Sequence, residues 1–240
     1  MKRAIALGII AATAAIAGCT EARSEDSGPT VDRDYQVGSF DRISVAGSYD
    51  TTVRTGAAPS VHVRGDQKAI DNLEVKVENG VLKIESKNKM HWGWSSNHGK
   101  VVFTVTVPSL RGADLAGSGD ITIDKVAGDT FAGSIAGSGN LKVAQVEVGS
   151  LKLDIAGSGN AVAGGGRARS AAYGIAGSGG IDAKGVAVET ADVSIAGSGD
   201  VDAQAHGTAA VSIMGSGNVE MTGGAKCTVS KAGSGNARCS

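Results

Sequence analysis

The stretch Asp192-Val193-Ser194-Ile195-Ala196-Gly197-Ser198-Gly199-Asp200-Val201-Asp202 decides the fold. Val193 and Ile195 alternate with polar residues on one side of Gly-Ser-Gly, and Val201 does so on the other. Period two on both flanks predicts two short strands. The glycines between them supply positive φ and close backbone approach, so the strands meet at a corner. The same tripeptide begins at Gly117, Gly137, Gly157, Gly177, Gly197, Gly215 and Gly233, at intervals of 20 and finally 18 residues. A fixed period of this size makes each repeat one coil stacked on the next.

Aligned on the first Gly, the coils fall into columns. Two residues before it stand Leu115, Ile135, Ile155, Ile175, Ile195 and Ile213, and then Lys231. One residue after the tripeptide stand Asp120, Asn140, Asn160, Gly180, Asp200, Asn218 and Asn236. These residue types tolerate the left-handed conformation. Stacked about 4.8 Å apart, their side chains and the repeated Ser can form ladders. Twenty residues at about 3.3 Å give a perimeter on the order of 60 Å, which suits a three-sided parallel β-helix. Parallel crossovers make the right-handed form the expected one.

Phe40 to Pro108 also alternates like strands, with Asn79-Gly80 between two runs as a type I′ hairpin signal. Ala46-Gly47-Ser48-Tyr49-Asp50 looks like a diverged copy of the repeat. Aromatic residues are 3% of the chain while Gly is 37 of 240, so small aliphatic residues must fill the interior. The expected fold is all-β: a β-solenoid of 18–20-residue coils preceded by a β-rich N-terminal half.

The N-terminus reads as an export signal. Lys2 and Arg3 precede the apolar stretch Ala4 to Ala17, which is too short to span a bilayer. Ile16-Ala17-Gly18-Cys19 resembles a bacterial lipobox, which implies cleavage before Cys19 and acylation of its thiol; an ordinary signal peptide with a chance Cys is the other reading. Thr20 after the Cys favours the outer membrane. Loss of Lys2 and Arg3 leaves 21 basic against 24 acidic residues, and no basic patch interleaved with aromatics points to nucleic acid. The expected organisation is a signal peptide (1–18), lipidated Cys19 and flexible tether (19–36), an N-terminal β half (37–112) and the solenoid (113–240).

The repeated Ser residues do not read as nucleophiles, because catalysis needs one Ser beside one base. Gly117-Ser118-Gly119-Asp120 lacks the third Gly of a dinucleotide fingerprint. Calcium repeats use a nine-residue period, half of the one here. Five after the first Gly, Asp182, Asp202 and Glu220 stand on consecutive coils. They read as a solvated acidic face, with a cation site or a glycosidase carboxylate pair as the sharper alternatives. Both Trp residues fall in Met90-His91-Trp92-Gly93-Trp94-Ser95-Ser96-Asn97-His98. Trp92 and Trp94 either cover the solenoid end or contact a glycan or protein partner; His91 and His98 are a weak metal pair. Cys227 and Cys239 lie at inward positions of the last coil; an oxidising compartment would join them if the coil brings their Cα atoms within about 7 Å, and a wider coil would leave them apart.

Phe40-Asp41-Arg42-Ile43-Ser44-Val45, the Asn79-Gly80-Val81-Leu82-Lys83-Ile84 hairpin, Val105-Thr106-Val107-Pro108-Ser109-Leu110 and the Gly-Ser-Gly-Asp/Asn series together resemble the bacterial DUF2807 family, the auto-transporter adhesin, head GIN domain proteins. The resemblance covers about Phe40 to Ser240. It implies a β-helical cell-envelope protein and carries over no catalytic residue and no cofactor. The expected function is therefore a non-enzymatic outer-membrane lipoprotein, an adhesin or binding module whose contact region is Trp92/Trp94. A carbohydrate-active enzyme using Asp182, Asp202 and Glu220 and a purely structural envelope spacer are the alternatives.

Overall fold

The computed structural model describes residues 29–87 and 100–240. Among them the first elements are β1 (Thr30–Tyr35), β2 (Arg42–Gly47), β3 (Asp50–Thr55), β4 (Ser60–Asp66), helix α1 (Gln67–Asp71), β5 (Leu73–Glu78), β6 (Val81–Ser86) and β7 (Val102–Val107). The repeats follow as β8 (Gly112–Gly117), β9 (Asp120–Gly137), β10 (Asn140–Gly157), β11 (Asn160–Ala163), β12 (Gly166–Gly177), β13 (Gly180–Gly197), β14 (Asp200–Gly215), β15 (Asn218–Thr222), β16 (Lys226–Ala232) and β17 (Asn236–Cys239). All 17 strands belong to one hydrogen-bonded sheet.

Successive coils pair in parallel and in register, so that Gly117, Gly137, Gly157, Gly177, Gly197 and Gly215 stack one on another. Within β10 the inward-outward alternation breaks at residues 144–145, at 149–150 and at the Gly-Ser-Gly corner that follows 155. Three breaks per coil make three sides, as the perimeter predicts. At the corner Gly157 has φ +133°, a conformation that L side chains rarely adopt. Ser158 N–H and Gly159 N–H donate to the Gly137 carbonyl of the preceding coil (2.9 and 3.1 Å). That approach leaves no room on Gly159, where a Cβ would overlap the Gly139 carbonyl oxygen.

The column after the corner forms the expected ladder with a consistent polarity. Asn140 Nδ2 donates to Asp120 Oδ1 (2.8 Å), and Asn160 Nδ2 donates to Asn140 Oδ1 (3.1 Å). Gly180 interrupts it, and it restarts with Asn218 Nδ2 donating to Asp200 Oδ1 (2.9 Å). Each Asn donates toward the N-terminal side, so the first member of each run needs only to accept, which suits a carboxylate. The Ser ladder is realised differently: among the described residues the Ser–Ser hydroxyl bond is Ser48 to Ser118 (2.8 Å).

The change from 20 to 18 residues per coil has a definite place. Between β13 and β14 the register jumps from Ala183↔Ala203 to Ala187↔Gln204, and again between Val188 and Thr190. The coil is shortened at the corner after Ala183, while the Gly-Ser-Gly corner keeps its alignment.

Sequence order and stacking order differ at the N-terminal end. β2 pairs in parallel with β8, Gly47 opposite Gly117, so the diverged copy is a true coil of the solenoid. The ladder thus passes through residue 112 without a break. On its other side β2 pairs with β6, and β3 with β7, so a coil later in the chain lies outside an earlier one. Antiparallel strands complete that end: β5 on β6 through a turn with Asn79 at φ 51° and Gly80 at φ 78°, β4 on β7, and β1 on β4. The segment 19–36 is not tether to its end: Thr30–Tyr35 is a strand, because Val31 and Tyr35 pack partly against the core. At the opposite end a disulfide joins Cys227 and Cys239, and Lys231 is exposed where the preceding coils bury Ile.

The core is a column of β-branched and Leu side chains with Ala between them. Among the described residues its largest member is Tyr173, which is 1% exposed and whose hydroxyl has no hydrogen-bond partner there. The same coil puts Ala161, Ala163 and Ala171 at inward positions, which makes room for the ring. Burial pushes the phenol pKa well above its ordinary value. Removing an unsatisfied buried hydroxyl removes its desolvation cost, so Tyr173→Phe is expected to stabilise the fold by about 1–2 kcal/mol, read as a higher unfolding temperature.

Candidate functional site

The register builds one concave surface that the repeat alignment alone does not show. At the second corner of each coil Thr130, Ser150, Ser170, Thr190 and Thr208 stack, followed by Lys226. Beside them the inward column runs Phe131, Leu151, Ala171, Ala191, Ala209 and Cys227. On the other flank of that column the outward residues Ala172 and Ala210 are small, which leaves the surface low between the hydroxyl row and Asp192. A groove of about 700 Å³ crosses this region, with Ala171, Ala191 and Ala209 as its floor and Ser150, Ser170, Thr190 and Thr208 along one side. Asp192 and Thr228 stand on its other side, and Lys226 closes its C-terminal end. Coils about 4.8 Å apart make it an elongated site parallel to the solenoid axis, able to contact a chain-like ligand through regularly spaced hydroxyls. Its sequence signal was the row of Ser and Thr at one position of successive coils, legible only once that position is known to lie at a corner.

Asp182, Asp202 and Glu220 do come together, paired in register on β13, β14 and β15. They are bracketed by cations. Lys184 Nζ lies 3.1 Å from Asp202 Oδ2, and Arg238 follows Glu220 on β17. The bond to Asp202 first, and the charges of Asp182, Asp202 and Glu220 after it, raise the Lys184 pKa. Glu220, Asp202 and Arg238 also line a shallow pocket of about 320 Å³ with Asp200, Asn218 and Asn236. Among the described residues no three His, Cys, Asp or Glu side chains converge in a way that could hold a metal ion. Sequence reasoning passed over Lys184 and Arg238 as partners of the acidic stripe, although the two-residue spacing of Lys184 from Asp182 was visible.

Cys19, Trp92 and Trp94, with His91 and His98, lie outside the described residues. Among the described residues no helix is long and apolar enough to cross a membrane.

Residues 39–225 match the family model of DUF2807, described as "Putative auto-transporter adhesin, head GIN domain". No curated protein matches the chain. Among solved structures it is similar to a "putative adhesin" of Bacteroides fragilis, with TM-score 0.79, 23% identity, and coverage of 88% of this chain and 97% of that one. A "putative lipid binding protein" of Parabacteroides distasonis is similar with TM-score 0.69 and 26% identity, over 88% and 97% of the two chains. A "putative adhesin" of Parabacteroides merdae is similar with TM-score 0.69 and 18% identity, over 89% and 97%. The first and third likenesses carry the fold, a β-solenoid with a β-rich N-terminal half.

Proposed function

We propose, from the premise that this chain belongs to the DUF2807 family, that it is a non-enzymatic cell-envelope lipoprotein, anchored at Cys19, which presents its solenoid as a rigid adhesion or binding surface. The family's adhesin description supports a binding role and a place at the envelope. The observation that carries the reading further is the Ala-floored groove with its row of hydroxyls, a long surface offered to solvent by a scaffold whose coils are locked in register. The Trp92/Trp94 segment is the second contact candidate. Lys184 and Arg238 favour a charge-balanced solvated face over a catalytic pair at Asp182, Asp202 and Glu220.

Binding of envelope polysaccharides and surface proteins to three forms tests this: the natural protein, Trp92→Ala/Trp94→Ala, and the groove-blocking Thr190→Arg. At least one variant is expected to lose most of the binding, and the one that does locates the contact. No binding by the natural protein, or equal binding by all three, would leave only a structural spacer. Glycan cleavage abolished by Asp202→Ala would instead establish the enzyme reading. Cys19→Ser is expected to move the protein from the membrane to the soluble fraction, and protease treatment of intact cells reports which side it faces.

A further inference from the structure

Among the described residues β1 is the first element and an edge strand, paired with β4 and with no other strand. Its outward residues Asp34 and Asp32 sit opposite His62 and Arg64 of β4. His62 Nδ1 lies 2.8 Å from Asp34 Oδ1, and Nε2 lies 3.2 Å from Asp32 Oδ1. A neutral imidazole has one N–H and one lone pair, so it can make only one of these bonds and turns its lone pair on the other carboxylate. Only the doubly protonated ring donates to both. We propose that β1 is a proton-controlled clasp, fastened to the solenoid end by imidazolium His62 held between Asp32 and Asp34 and loosened when that ring loses a proton.

Among the described residues the groups facing His62 are few. From β1 they are Asp32 and Asp34. From its own strand Arg64 reaches Asp32 with Nη1 3.8 Å from Oδ2, and from β7 the opposing residue is the uncharged Thr104. Among the described residues the other side-chain and flanking ties of β1 are Arg33, which donates to Asp71 (2.6 Å), and the Gln67 N–H, which donates to the Pro29 carbonyl (3.1 Å). Of these ties, His62 is the one made by an imidazole, the side chain that ordinarily changes charge between mildly acidic and mildly alkaline conditions. The hydrogen bond to Asp34, aided by the charges of Asp34 and Asp32, raises its pKa above 6.5. Its stabilising contribution is then full below about pH 6.5 and is lost as pH rises through the raised folded-state value. Release of residues 30 to 38 would lengthen the leash between the N-terminal segment and the solenoid by about 30 Å and uncover the β4 edge. The clasp would thus set how far the solenoid stands from whatever holds its N-terminus.

Hydrogen exchange of the peptide covering residues 30–36 in the full chain, corrected for intrinsic exchange at each pH, tests the clasp. Protection is expected to fall roughly fivefold or more between pH 6 and pH 8.5, while the central coils stay constant as an internal reference. His62→Gln is expected to give low protection at both pH values, and Asp34→Asn to shrink the pH dependence while keeping the strand pairing. Unchanged protection in the natural chain overturns the proposal, as does an equal fall in His62→Gln, which would place the titrating group elsewhere. If one variant fails to fold, seen as loss of protection in the central coils, the other decides.

Discussion

Gly157→Ala is expected to lower the unfolding temperature by roughly 10 °C, the equivalent of about 3–5 kcal/mol for a chain of this size. Two costs combine. At φ +133° the backbone sits where a Cβ is strained, which costs about 1–3 kcal/mol. A Cβ there would also overlap the carbonyl oxygen of Gly137 in the preceding coil, and separating the coils costs a similar amount. Two other glycines separate these terms. Gly128 has φ +130° with nothing within 4 Å of an added Cβ, so Gly128→Ala carries the strain alone. Gly159→Ala carries the clash, with the Gly139 carbonyl and with Ile135 Cγ2 at 2.9 Å, and no positive φ. Calorimetry of the three variants should rank Gly157→Ala as the most destabilised. Equal effects at Gly157 and Gly128 would show that coil contact contributes nothing at the corner.

Cys227→Ser/Cys239→Ser is expected to free the last coil while leaving the rest of the solenoid folded. A disulfide closing a loop with a sequence separation of 12 contributes about 3 kcal/mol by restricting the open chain. The coil it closes has little else: β16 pairs with β14 on one side, β17 pairs with β15 on one side, and residues 228–234 are exposed. Because a solenoid is held by nearest-neighbour contacts, the loss should stay local. Trypsin is the direct reporter, cutting after Lys226, Lys231 and Arg238 in the variant or after reduction, and sparing them in the oxidised protein. Resistance of those sites in the variant would show that strand pairing alone holds the terminal coil.

The terminal coil also shows how the ends of the sheet are protected. At the C-terminal end Lys226, Lys231 and Arg238 put charge on the open strands. At the N-terminal end β5 carries Lys76 between Glu74 and Glu78, at 2.9 Å from each. Charged edges discourage pairing with other chains. The Lys231 substitution in an otherwise apolar column was readable as a terminator because a column exists to be broken. The role of β5 was not readable in the same way, since only the folded sheet shows that among the described residues it is an edge, paired with β6.

Local chemistry determined a good deal of this protein from the sequence alone. Glycine at fixed intervals specifies corners, period-two alternation specifies strands, and Asn79-Gly80 specifies a hairpin. Each depends on residues within a few positions of one another, and the repeat then carries one local solution along the chain. The tertiary structure decided what depends on distant partners. The coil of β6 and β7 lies outside β2 and β3, β1 belongs to the fold although its sequence is as polar as a tether, and a row of Ser and Thr from successive coils becomes one side of a groove. It also brought Lys184 onto Asp202 and both nitrogens of His62 onto carboxylates 28 and 30 residues away. Strand order at a sheet end is set by which edges remain to be covered, and charge pairing by which side chains the register lays side by side; neither is encoded in any one segment.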